Sequence, residues 1–166
     1  MMCQAYVAHG VLPPVGSVIS HARNIAIGKN FRMSEHCSLY CQDAERGSRL
    51  AIGDDVLLNV GVMLNADCGG AISIGSRVLI GPYTVIRAAN HRIDDVHVPI
   101  MSQGHKPGSI VIEDDVWIGA HVTILPDVSI GRGAVIAAGS VVTRNIPAMA
   151  IAAGSPANVL RYRGDE

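Results

Sequence analysis

The chain has 166 residues, 49% of them apolar, with 18 glycines and 8 prolines but only 4% aromatic residues. That length suits one domain with a substantial core, and so sparing a use of rings means the core must be filled by small branched side chains. With 13 basic residues against 14 acidic ones there is no basic surface excess, which argues against a nucleic-acid binder or a protein held on anionic membranes.

At the N-terminus, Met1-Met2-Cys3-Gln4-Ala5-Tyr6 has no basic stretch ahead of an apolar one, and nowhere do 18 apolar residues run consecutively. This predicts a soluble, cytoplasmic protein without membrane insertion. Cys3, Cys37, Cys41 and Cys68 form no CxxC pair, and Cys37-x3-Cys41 lacks the second ligand cluster of a zinc site. They read as reduced thiols used as small apolar residues.

From residue 27 the dominant signal is a repeat of six. Aliphatic residues recur as Ile27, Met33, Leu39, then Ile52, Leu58, Leu64, then Ile74, Ile80, Ile86, and again from Ile112 through Ile118, Ile124, Ile130 and Ile136 to Val142. Four residues after each position from Ile112 come Val116, Val122, Val128, Ala134, Ser140 and Ile146, giving two inward positions per unit. A unit this short suits a strand plus a corner in a solenoid, and three units make a triangular coil of 18 residues. The first-face column then reads Ile27, Ile52, Ile74, Ile112, Ile130, spaced by about 4.8 Å. The residue after each ladder position is usually small, as in Gly28, Gly53, Gly75, Gly81, Gly119 and Gly131. Amphipathic helices need a period near 3.6 and would not tolerate this glycine density.

The expected organisation is a single all-β domain over 1–166: a lead-in and first partial coil at 1–26, five to six coils over 27–153, and a short C-terminal tail at 154–166. Coil starts at 27, 52, 74, 112, 130 and 148 are 25, 22, 38, 18 and 18 residues apart, so the residues in excess of 18 share one phase. They belong to the corner after the third face, where one edge carries every loop, including a long one at about 92–111. Loops on one edge of a rigid scaffold are where binding usually occurs.

Residues that break a repeat point to working sites. In the small-residue column Ser34, Asn59, Gly81, Gly119, Ala137, Asn59 is oversized and polar; in the column Asp43, Cys68, Asn90, Val128, Ile146, Asn90 is expected against the core. These violations are expected to gather near the loop edge, with His91 at the mouth of the long loop, where an imidazole can take a proton near neutral pH. His97 and His105 read as solvated loop residues and His121 as outward-facing. The histidine spacing does not suit a zinc site, so no metal is expected.

The segment Ile112-Glu113-Asp114-Asp115-Val116-Trp117-Ile118-Gly119-Ala120-His121, with Val141-Val142-Thr143-Arg144-Asn145-Ile146-Pro147, Ala152-Ala153-Gly154-Ser155-Pro156 and the Asn90-His91 pair, strongly resembles the hexapeptide-repeat acetyltransferases. These include galactoside, maltose, nodulation and surface-polysaccharide enzymes. The resemblance, over about 24–163, implies a left-handed parallel β-helix, a homotrimer with active sites between subunits, and acetyl-CoA as co-substrate along the wall. His91 matches the family's catalytic histidine. Asn59, Asp67 and Asn90 are implied as acceptor contacts. Trp117, Ala120, Ala138, Thr143, Arg144 and Arg161 are implied as acetyl-CoA contacts. Asn158 stands where several relatives carry a basic residue, which would redistribute phosphate contacts. The galactoside and maltose enzymes carry a helical segment ahead of the coils, whereas this chain enters the repeat almost at once, which shifts the expected acceptor toward precursors of surface polysaccharides.

The reaction expected from the resemblance is transfer of acetyl to a sugar hydroxyl, with His91 as general base and no acyl-enzyme. N-acetylation of an amino-sugar or other amine is an alternative on the same scaffold. A non-catalytic β-helical structural or binding subunit is the alternative of a different class.

Overall fold

The computed structural model describes residues 13–165; Cys3 and the N-terminal stretch considered for a leader lie outside them. The repeat winds into three parallel sheets that form a triangular prism. Face I carries five strands: Ile25–Ile27, Arg49–Ile52, Ala71–Ile74, Ser109–Ile112 and Val128–Ile130. Face II carries seven, running from Arg32–Met33 through Leu57–Leu58, Leu79–Ile80, Trp117–Ile118 and Val135–Ile136 to Ala150–Gly154 and Ala157–Tyr162. Face III carries six: Val18–Ser20, Ser38–Tyr40, Met63–Asn65, Val85–Arg87, Thr123–Ile124 and Val141–Val142. No α-helix occurs among the described residues.

The columns expected from the spacing are the observed registers. Ile27 pairs with Ile52, Ile52 with Ile74, Ile74 with Ile112 and Ile112 with Ile130. Ile118 and Ile124, at the centres of their ladders, are fully buried. Burying each such side chain stabilises the fold by about 1.5–3 kcal/mol. The glycines of the small column answer a steric demand: a Cβ on Gly81 would lie 2.5 Å from the Gly119 carbonyl carbon, and one on Gly119 would lie 2.6 Å from the Ala138 nitrogen. Two buried hydroxyls enter the core without loss of hydrogen bonding, since Thr84 donates to the Gly119 carbonyl at 2.9 Å and Ser140 to that of Ala137 at 2.7 Å. Burial without a partner would cost each about 1–3 kcal/mol.

One column differs from expectation. Val128 pairs with Ile110 on face I, in line with Ile72, Leu50 and Ile25, and is not in line with Asn90. The fourth position of the third unit opens the next face-I strand, and the insertion precedes it; counting forward across the insertion therefore assigns the wrong neighbour. Asn90 is exposed and does not meet the core.

The insertions do share the corner between faces III and I. The first two are short: a 3-10 turn at Ala44–Arg46 and the Cys68-Gly69-Gly70 bend. The third is a β-hairpin, Ala89–His91 paired antiparallel with His105–Pro107, and the wall resumes at Ser109, earlier than a loop reaching 111 would allow. At the C-terminus Ala157–Tyr162 folds back antiparallel on Ala150–Gly154, and Arg163 donates to the Gly133 carbonyl at 2.9 Å and lies 3.3 Å from Asp115.

Candidate active site

Chain corners expose backbone N–H groups that the sheets do not use, and several are capped by a side chain of a neighbouring coil. Between faces I and II, Lys29 N–H donates to Asp54 at 2.6 Å, Asp54 N–H to Ser76 at 3.1 Å and Ser76 N–H to Asp114 at 2.8 Å. Between faces III and I, Gln42 N–H donates to Asp67 at 2.6 Å and Ser109 N–H to Asp127 at 3.0 Å. The corner between faces II and III is different. There Val60 N–H is taken by the Asn59 side chain at 2.7 Å, Pro82 has no N–H, and the amides of Glu35, Ala120 and Ala138 have no partner among the described residues. Ala120 and Ala138 thus leave two donors unused at the corner that follows face II, where Trp117 is 56% exposed in one row with Leu79, Val135 and Ile151.

The hairpin rises from the III/I corner. Arg92 N–H closes it onto the Gly104 carbonyl at 3.0 Å, and Gln103 braces the intervening loop through its amide, donating to the carbonyls of Asp95 at 2.8 Å and Val98 at 2.7 Å and accepting from Asp95 N–H at 3.1 Å. His91 ends the rising strand, exposed, with His105 directly opposite; the ring centroids are 4.1 Å apart and the planes tilted by 38°. Partial burial pushes the His105 pKa down, and the charges of His91, Arg87 and Arg46 push the same way while Asp43 opposes them. Cys68, in the same corner, has its thiol pKa raised, first by burial.

The candidate residues divide into two groups. His91, Asn90, Asp67, Thr143 and Arg144 lie along the III/I corner. Asp67 spends one carboxylate oxygen on capping Gln42, and Asn90 stands opposite Lys106 in the hairpin. Trp117 and Arg161 lie on face II, and Ala120, Ala138 and Asn59 on the II/III corner. Asn59 is thus not beside the loop edge as expected: the edge is set by the insertions, and residue 59 follows a face-II strand. In a three-sided prism the III/I corner is opposite face II, so one chain cannot bring His91 to Trp117.

Sequence reasoning missed His105 and Gln103, because a residue's cross-strand partner is invisible until the hairpin register is known. His97 is exposed, as expected, and His121 stacks on Tyr83 with centroids 5.2 Å apart. Among the described residues no group of three or more His, Cys, Asp or Glu is placed to hold a metal. Cys37 and Cys41 are buried free thiols, and burial, with the charge of Asp67, lifts the Cys41 pKa to about 11. No helix among the described residues is long and apolar enough to cross a membrane.

Residues 109–144 match the family model described as bacterial transferase hexapeptide, six repeats. The chain is 38% identical over 120 residues to the galactoside O-acetyltransferase of Escherichia coli K12, covering 72% of this chain and 57% of that protein. It spans about half the length of the curated relatives it matches. A hexapeptide-repeat acetyltransferase from Vibrio cholerae superposes with a TM-score of 0.71 at 35% identity, covering 84% of this chain and 74% of that one. Its complex with acetyl-CoA matches with a TM-score of 0.59 at 28% identity, over 92% and 70% of the two chains. A mutant of an N-acyltransferase from Bacillus cereus, in complex with dTDP and coenzyme A, matches with a TM-score of 0.76 at 25% identity, over 96% and 88%. The ladder registers and the Vibrio cholerae relative lead to one conclusion: this protein belongs to the hexapeptide-repeat acetyltransferases, and its solenoid is a left-handed parallel β-helix.

Proposed function

We propose that the chain is a single-domain, cytoplasmic, acetyl-CoA-dependent O-acetyltransferase that acts on a hydroxyl of a sugar or polysaccharide precursor. The observation that carries this reading is the division of the site. An exposed histidine and its hairpin occupy one corner, open amide donors beside Trp117 occupy the opposite side, and a neighbouring protomer in a homotrimer joins the two. Acetyl-CoA lies in that seam, its pantetheine amides on the Ala120 and Ala138 N–H groups and Trp117, its phosphates near Thr143, Arg144 and Arg161. Asn59, Asp67 and Asn90 orient the acceptor.

His91 takes the acceptor proton as the hydroxyl oxygen attacks the thioester carbonyl. The C–O bond forms, the C–S bond breaks as the tetrahedral intermediate collapses, and the imidazolium returns the proton to the departing thiolate. The products are an acetyl ester and coenzyme A.

His91→Ala tests the reading: a thiol-release assay is expected to lose about 100- to 10,000-fold in turnover with the fold retained. Normal turnover refutes it. N-acylation of an amino-sugar is a second reading, supported by the likeness to the Bacillus cereus N-acyltransferase. Paired hydroxyl and amino acceptors in the same assay separate the two. A non-catalytic subunit would bind no acetyl-CoA, so a rise in thermal stability with acetyl-CoA removes that alternative.

A further inference from the structure

We infer that His105 is a positioning residue: its ring packs on His91 across the hairpin and fixes the plane in which the base meets the acceptor hydroxyl. The inference rests on the reading of His91 as the base.

In an antiparallel pair, directly opposed side chains share one face of the ribbon and are its closest neighbours. His91 and His105 are such a pair, flanked on the same face by Ala89 and Pro107, while Asn90 and Lys106 occupy the other. Their centroids lie 4.1 Å apart at a 38° tilt, and no hydrogen bond joins the rings, so the contact is one of packing. An exposed histidine left alone samples several rotamers; a ring packed against it removes that freedom.

His105 is itself held in place. Gly108 N–H ties the returning strand to the Ala88 carbonyl at 2.8 Å, Gly104 turns into that strand at φ +75°, and Gln103 makes three hydrogen bonds within the loop. This is more construction than a solvated loop histidine needs.

Burial, and then the charges around the pair, lower the His105 pKa. Arg87, Arg46 and a protonated His91 all disfavour charge on His105, and only Asp43 favours it. Charge on the packing ring is thereby disfavoured.

The test measures kcat and the KM for acetyl-CoA for His105→Ala, His105→Gln and His105→Phe, in the native chain and in the His91→Ala background, with folding checked by thermal melting. His105→Ala is expected to lower kcat about tenfold while the KM for acetyl-CoA stays within about twofold, because only the angle of the base is lost. His105→Gln, polar but without a ring, behaves like Ala, and His105→Phe, a ring that cannot titrate, regains most of the loss. In the His91→Ala background His105→Ala lowers the residual rate no further. Full kcat in folded His105→Ala and His105→Gln overturns the inference, and so does His105→Phe as poor as Ala, since an imidazole nitrogen is then required. A His91→Ala enzyme with native turnover instead sinks the reading of the base, a result these His105 outcomes do not mimic.

Discussion

Ala120→Pro separates binding from stability at one atom. Ala120 N–H has no partner among the described residues, so proline in its place breaks no hydrogen bond seen among them. The geometry accepts the ring as well: one coil earlier the same corner reads Gly81-Pro82-Tyr83 with Tyr83 at φ 56°, and here it reads Gly119-Ala120-His121 with His121 at φ 55°. Stability should hold or rise by about 0.4–1 kcal/mol, through the smaller entropy of the unfolded chain. The lost donor costs an amide–carbonyl hydrogen bond to the pantetheine, about 0.5–1.5 kcal/mol, or roughly two- to thirteenfold in affinity. Calorimetric titration with acetyl-CoA reads the affinity, and thermal melting reads the stability. A folded Ala120→Pro protein that binds acetyl-CoA as tightly as the native chain refutes the placement of the co-substrate on this corner.

Two further outcomes follow from the same packing and charge arguments. Gly119→Ala drives a Cβ into the next coil's backbone, 2.6 Å from the Ala138 nitrogen, so chemical denaturation should show a loss of at least about 1–3 kcal/mol; a loss below half a kcal/mol means the coils can part without cost. The depressed His105 pKa gives a signed pH dependence: below the ordinary value of 6.5 the unfolded chain binds a proton that the folded chain resists. Stability on this account falls as pH drops through that window. The gap in melting temperature between the native chain and His105→Phe should therefore shift in favour of the variant between pH 7.5 and 5.5, and a gap that does not move with pH contradicts the assignment.

The wall was legible because burial alternates on a strict period: Ile27, Ile52, Ile74, Ile112 and Ile130 must align if each is to leave water, whatever lies between the coils. Within the insertions that constraint lapses. Residues 92–104 have no alternating pattern, so the opposition of His91 to His105 could not be read, and Val128 was counted on the wrong side of a corner. Asn59 shows a subtler limit: its departure from the small column is real, but a column gives height along the prism and only the loop phase identifies the edge. The left-handedness came from the resemblance to the family and not from spacing, because an inward pattern is the same for either hand.

The central claim, that each site joins the III/I corner of one protomer to face II and the II/III corner of the next, is tested most directly by subunit mixing. His91→Ala chains and chains carrying Trp117→Ala with Ala120→Pro are unfolded and refolded together and assayed well below the native KM for acetyl-CoA, where both parents turn over slowly. If sites lie between protomers, about a quarter of those in a randomly mixed trimer pair an intact His91 with an intact face II, and activity returns to roughly a quarter of the native level. If every site lies within one chain, the mixture stays as slow as its parts, and the account is contradicted.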